Sequence, residues 1–274
     1  MIPIGPIIIL VCQVDVPSTH TAADRDQHLA DLQHRVASQL QNRAADLVVL
    51  PELVSIEYSI DAFDCLAELS EPLKGVSFDT WRNVSRDHHC HIVYSFVLRT
   101  DNSRYQIASA IVDPAGDLVG VYRKQYLAQF GASSEKQYFE PGNELLVFDV
   151  KGFRFATIIC ADVRFPELCR ALTVNHNVDV ILHQGAYSRD STFFSWHSFV
   201  CTRALENQIY LVSVNRAGAE YGQSIVVPPW VDENHPSATL SEHEEHFAYM
   251  KIDKNTIDCV RARYPFLKDR KDHI

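Results

Sequence analysis

The stretch Phe155-Ala-Thr-Ile-Ile-Cys-Ala-Asp-Val-Arg-Phe-Pro-Glu167 constrains the fold more than any other part of the chain. Its first half, Phe155 to Ile159, is apolar and β-branched, the pattern of a buried strand. The polar second half brings Pro166, which suits the first turn of a helix, and Glu167, which faces that helix's positive end. A strand running directly into a helix needs a sharp turn, and Cys160 stands on it. A thiol there meets backbone N–H groups and a helix dipole, both of which favour thiolate over thiol. The ordinary alternative is a buried core cysteine, a common state for free cysteine.

The rest of the chain repeats this alternation. After a strand at Ile7–Val11, the segment from Asp24 to Arg43 places Leu29, Leu32, Val36 and Leu40 three and four apart, one apolar helix face. Asp46-Leu-Val-Val-Leu-Pro-Glu52 follows as a short buried strand ending in a carboxylate, which completes a crossover unit. Helical patterns cover 62–69 and 76–88. Strands are predicted at 92–98, 107–112, 118–122, 145–150 and 153–159, with a polar loop from Gln129 to Asn143. Beyond the Cys160 turn come a helix to Asn175, a strand at 178–183, a helix at 193–207 and a strand at 210–215. Two more strands, near Ile225 and at 247–252, precede a basic tail. With no repeat or Gly/Ser linker, residues 1–274 read as a single α/β domain. No Gly-rich phosphate loop is present, which removes the commonest nucleotide-binding readings.

Composition narrows the function classes. Net charge is −10 with no basic run, so neither nucleic acid nor an anionic membrane is expected as a partner. The seven cysteines contain no C-x-x-C pair, which points to a reducing, cytoplasmic setting rather than a disulfide framework or zinc ribbon. Ile7–Val11 lacks the positive flank and cleavage site of a signal peptide and reads as a first strand, and no apolar run reaches the ~20 residues of a membrane span. His88-His-Cys-His91 and the His243/His246 pair lack the spacing of known metal motifs. No metal or cofactor is expected.

Cys160-Ala-Asp-Val-Arg-Phe-Pro-Glu167 resembles the nucleophile motif of the nitrilase (carbon–nitrogen hydrolase) superfamily in its amidase branches, Cys-x-Asp-x-Arg-Phe-Pro-Glu. The family's other motifs have similar counterparts upstream, in order. Leu50-Pro-Glu-Leu53 matches the motif of the catalytic base, Glu52; Tyr122-Arg-Lys-Gln-Tyr-Leu127 matches that of the lysine, Lys124; and Glu135, six residues before Pro141, matches the second glutamate, with Glu140 as its decoy. Arg203-Ala-Leu-Glu-Asn-Gln208, Asn215-Arg-Ala-Gly218 and Tyr264-Pro-Phe-Leu-Lys-Asp-Arg270 continue the likeness to the C-terminus.

The resemblance implies a four-layer α-β-β-α sandwich, two mixed β-sheets flanked by helices, and a homodimer or higher homo-oligomer. It also implies a thiol-dependent hydrolase of non-peptide C–N bonds, acting on a small-molecule amide and releasing ammonia through a Cys160 thioester. The backbone N–H of Ala161 would help to hold the oxyanion. N-carbamoyl amine hydrolase, nitrilase and a non-catalytic scaffold are the alternatives. Departures concern specificity. Ala161 replaces the usual aromatic residue and suggests room for a different or bulkier acyl group. His183-Gln-Gly-Ala-Tyr187 replaces a proline-containing loop start, and Ser195-Trp-His197 replaces His-Trp-Glu. His183, Tyr187, Arg189 and Trp196 are the substrate-binding candidates, Arg189 because a guanidinium meets a carboxylate bidentately.

Overall fold

The computed structural model describes residues 5–271. Strand β1 (Ile7–Gln13) pairs in parallel with β2 (Leu47–Val49), and helix α1 (Ala22–Asn42) crosses between them. The helix begins where Thr21 and Asp24 cap one another reciprocally, and it buries Leu29, Leu32, Val36 and Leu40, the face expected from their spacing. Two short helices, α2 (Ile60–Asp64) and α3 (Leu66–Leu69), then lead to α4 (Val76–His88) and the strands β3 (His91–Arg99), β4 (Tyr105–Val112) and β5 (Leu118–Arg123).

The second half opens with the antiparallel pair β6 (Val147–Val150) and β7 (Phe153–Ile159), then α5 (Pro166–His176), β8 (Val180–Gln184), α6 (Phe193–Asn207) and β9 (Tyr210–Val214). Short strands β10 (Ile225–Val227) and β11 (Ala238–Thr239) follow, and β12 (His246–Ile252) returns to the first sheet beside β1. Helices α7 (Lys254–Arg263) and α8 (Phe266–Asp269) close the described chain.

The described strands form two six-stranded mixed sheets, ordered β12-β1-β2-β3-β4-β5 and β11-β10-β9-β8-β7-β6. The sheets pack on one another through Ile9, Val11, Val49 and Val93 on one side and Phe155, Val180, Leu182 and Val212 on the other. Outside, α1 and α4 cover the first sheet through Leu32, Val36, Trp81 and Val84, while α5 and α6 cover the second through Leu168, Leu172, Trp196 and Val200. This is the α-β-β-α sandwich. Truncating one side chain of the inner seam, as in Leu182→Ala, costs about 2–5 kcal/mol by loss of transfer energy and creation of a cavity.

Two expectations need correction. The single helical pattern at 62–69 divides at Cys65, whose backbone leaves the helical region and caps both α2 and α3. The basic tail is not a tail: Asp253 caps α7, which docks through Ile257. With one buried residue in ten, its apolar pattern is too thin to read from sequence.

The parallel runs put the carboxyl ends of β2 and β5 and those of β7 and β8 at one edge of the sandwich. Ligand crevices in such sheets form beyond the carboxyl ends of the strands.

Candidate active site

Glu52 lies three residues past β2, on a segment held from both sheets. Leu50 N–H donates to Val93 O at 3.0 Å and Glu52 N–H donates to Gly185 O at 3.3 Å. Gln184 Nε2 donates to Leu50 O at 2.6 Å. Leu53 takes the left-handed backbone conformation, φ 47°. That conformation is uncommon for a branched side chain and persists only when its surroundings over-determine it. The buried Arg216 supplies that constraint by donating to the carbonyls of Glu52 (3.0 Å), Leu53 (2.7 Å) and Ile56 (2.8 Å).

Lys124 follows β5 directly, its N–H donating to Ile107 O at 2.9 Å. Its ammonium bridges two carboxylates, Glu52 Oε1 at 2.7 Å and Glu135 Oε1 at 2.6 Å, and all three side chains are 0% exposed. Glu135 sits on a 3-10 turn, Glu135–Gln137, within the polar loop. Its Oε2 accepts from Ala128 N–H at 2.8 Å and its Oε1 accepts from Tyr58 Oη at 2.5 Å, so both oxygens are engaged. Glu140, the decoy, points outward and pairs with Arg104 at 2.7 Å. Glu52 keeps one buried oxygen, Oε2, without a protein hydrogen-bond partner. An unmatched buried acceptor is costly in a folded core and marks a place where a proton can be received.

Cys160 occupies the turn at the end of β7 with φ 45°, strained for a residue bearing a Cβ. A 3-10 turn over Cys160–Arg164 follows before Pro166 opens α5. Asp162 ties this turn to the Lys124 segment: it accepts from Ile159 N–H at 2.9 Å, Tyr126 N–H at 2.9 Å and Tyr122 Oη at 2.7 Å. Arg203 braces it from behind, donating to Val163 O at 3.0 Å and Arg164 O at 3.2 Å.

The electrostatics correct the reading of Cys160 as a resting thiolate. Burial, reinforced by the negative charge of Glu52, pushes the thiol far up, against the opposing pull of Lys124 and the Ala186 N–H. The helix dipole does not decide the matter, because α5 starts six residues later. Burial also raises Glu52 to about 7, less than it would without Lys124 beside it. Burial works to lower Lys124, yet the two carboxylates outweigh it and keep the ammonium charged. At neutral pH the site holds a thiol, a fixed cation and a carboxylate poised near half-ionisation.

The four substrate-binding candidates are each engaged by other groups of the protein. His183 is fully buried between Ser213 Oγ (2.7 Å) and the Cys160 carbonyl (2.9 Å). Tyr187 directs its hydroxyl to the same carbonyl at 2.7 Å, and Trp196 stacks on Tyr187 with ring centroids 4.7 Å apart. Arg189 commits its guanidinium to Tyr221 O (3.0 Å), Glu242 O (2.8 Å) and the Glu242 carboxylate (3.4 Å), which leaves no fork for a ligand. Ala161 is 1% exposed, as closely packed as Lys124 beside the nucleophile. Tyr58, Arg216 and Ser213 entered no sequence pattern singled out above for a site role. Arg216 stood inside the recognised Asn215-Arg-Ala-Gly218 segment, but nothing local indicated that its partner was the Glu52 loop, more than 150 residues upstream.

The family model described as carbon-nitrogen hydrolase matches residues 10–262. Among curated relatives, the 2-oxoglutaramate amidase of Bacillus subtilis is 31% identical over 242 residues, covering 85% of this chain and 88% of that protein. The omega-amidase NIT2 of Homo sapiens is 24% identical and covers 85% of each. Among solved structures, Nit3 of Saccharomyces cerevisiae, described as a member of branch 10 of the nitrilase superfamily, superposes with a TM-score of 0.85 at 22% identity, covering 100% of this chain and 99% of that one. An amidase from Nesterenkonia sp. gives 0.75, also at 22% identity, covering 98% and 95%. The motif order, the sandwich and these matches agree, and the chain belongs to the carbon-nitrogen hydrolase family of the nitrilase superfamily, as a hydrolytic enzyme.

Proposed function

We propose that the protein is a thiol-dependent amidase that releases ammonia from a small carboxamide, the ω-amide of a short dicarboxylic acid being the favoured class. The observation that carries this reading is the buried Glu52–Lys124–Glu135 bridge, electrostatically coupled to Cys160. Amide hydrolysis by a thiol needs a nucleophile, a proton carrier and a positive group for the developing oxyanion, already in place before reaction. The printed activities of the relatives, 2-oxoglutaramate amidase and omega-amidase, support the substrate class.

In this reading Glu52 removes the proton of Cys160 as the sulfur attacks the carbonyl carbon, and the carbonyl electron pair moves to oxygen. Lys124 Nζ and the Ala161 N–H hold that oxyanion. Collapse re-forms the carbonyl and breaks the C–N bond, while Glu52 gives its proton to the leaving nitrogen and ammonia departs. Water then attacks the thioester, Glu52 again accepting the proton, and collapse returns it to sulfur as the acid leaves. Glu135 keeps Lys124 charged and fixed throughout. A raised Glu52 suits both duties, because a proton carrier works best with a pKa near the working pH. The seven free cysteines fit a reducing, cytoplasmic compartment. Exposed Phe194 on α6 and the half-exposed Phe165 fit self-association through the outer helical layer.

The test is ammonia release from a panel of ω-amides, simple amides, N-carbamoyl amines and nitriles, run with wild type and Cys160→Ala. Turnover of amides by wild type alone supports the reading. Preference for carbamoyl amines or nitriles replaces it with that activity, and no turnover of any of them would favour a scaffold.

A further inference from the structure

Two of the substrate-binding candidates converge on a single atom. The carbonyl oxygen of Cys160 accepts from His183 Nε2 at 2.9 Å and from Tyr187 Oη at 2.7 Å. The chemistry of the neighbours fixes the directions. An indole N–H only donates, so Trp196 Nε1 donates to Ser213 Oγ at 3.1 Å. Ser213 then turns its own proton to His183 Nδ1 at 2.7 Å, which leaves the imidazole proton on Nε2. A carbonyl oxygen only accepts, so the same tautomer is required from the other side. Burial drives His183 down to about 3, so the ring stays neutral at any working pH. The relay runs one way, from Trp196 through Ser213 and His183 to Cys160 O.

That carbonyl shares its peptide unit with the N–H of Ala161. Hydrogen bonds donated to an amide oxygen draw electrons through the C–N bond and make the N–H a stronger donor, by roughly 10–30% per bond. We infer that His183 and Tyr187 are positioning residues that hold the Cys160–Ala161 peptide in its left-handed turn and sharpen the Ala161 N–H as an oxyanion donor. Neither touches the substrate. They act through one peptide bond, and this role rests on the proposed use of Ala161 above.

The variants are Tyr187→Phe, which keeps the ring stacked on Trp196, His183→Leu, which removes the other donor, their double variant, and His183→Gln, whose amide nitrogen can replace Nε2. Because full loss of an oxyanion donor costs 10²–10³ in rate, weakening one should lower kcat about three- to tenfold per lost bond, with KM within about twofold. His183→Gln should recover most of the loss. Alkylation of Cys160 by iodoacetamide forms no oxyanion, so its rate should stay unchanged, read on the Cys160 peptide by mass spectrometry. Cys160-Ala161 is the only Cys-Ala step in the chain. Carbonyl-labelled cysteine with ¹⁵N-alanine therefore gives a single correlated amide signal, whose proton should move upfield in each single variant and further in the double. An alkylation rate falling in step with kcat would mean a displaced turn and overturn the inference, as would an unmoved kcat or an unmoved amide proton. If wild type cleaves no amide the proposed function fails separately, and the amide signal still decides whether the relay polarises the peptide.

Discussion

Glu135 and Glu140 lie five residues apart on one loop and sit in opposite surroundings. Glu135 is fully buried, with Lys124, Tyr58 and the Ala128 N–H on its two oxygens. Glu140 meets Arg104 with side chains 44% and 65% exposed. Both are ion pairs of similar length, yet a surface pair is screened and contributes little, while a buried pair leaves a bare charge when one partner is removed. Burial, more than distance, separates a pair that can set the chemistry of a site from one that merely decorates the surface.

The largest effect expected inside the buried region is that of Cys160→Ala, which should lower turnover about 10⁴-fold or more, as loss of a covalent nucleophile does. Circular dichroism should show an unaltered fold. An active alanine variant would break the comparison outright.

Lys124→Met should come next. It leaves two carboxylates facing each other without a cation, which costs about 3–5 kcal/mol in stability. Activity should fall at least 10²-fold with the oxyanion's partner gone. Urea unfolding and steady-state kinetics read the two losses. A variant as stable as wild type would show that the carboxylates do not depend on the lysine.

Glu135→Gln keeps the shape and loses the charge. Turnover should drop about 10²-fold, because Lys124 loses one of the two groups holding it in place. Glu140→Gln should leave kcat within about twofold and the melting temperature within about 2 °C. The reverse ranking would show that the outward carboxylate is the functional one.

The mildest probe is pH. Glu52 must be ionised to take the proton, and its pKa is raised to about 7, so acid removes the active form. The value of kcat/KM, which reports the free enzyme, should fall about tenfold per unit as pH drops below about 7 and level off above it. Burial holds the Cys160 thiol too high to add a second break between pH 5 and 9. A break near 4 would mean that Lys124 overrides burial at Glu52.

The sequence was most legible where the signal is local. Strand β7, the proline-led helix after it and α1 follow from periodicity and turn chemistry, and the four motif residues follow from resemblance. What was hidden depends on partners distant in the chain. Arg216 reaches the Glu52 loop from beyond β9, and Gln184 crosses between the sheets to Leu50. Arg189 stands in the sequence as a partner for a substrate carboxylate, whereas the Glu242 loop, over fifty residues away, holds its guanidinium. The thiolate expectation failed for a related reason: a helix dipole can be read from sequence, whereas desolvation depends on what the whole fold packs around the sulfur. Thiol exposure is hidden in the same way. Cys259 is exposed and Cys160 is not, so the rate of alkylation in the resting protein does not identify the nucleophile.

The most direct test of the account is acid quenching during turnover of an ω-amide, followed by intact-protein mass spectrometry and peptide mapping. The account predicts one added acyl group, without its nitrogen, on the Cys160 peptide and on no peptide carrying Cys259. Ammonia release without any acyl adduct, or an adduct on another residue, would contradict it.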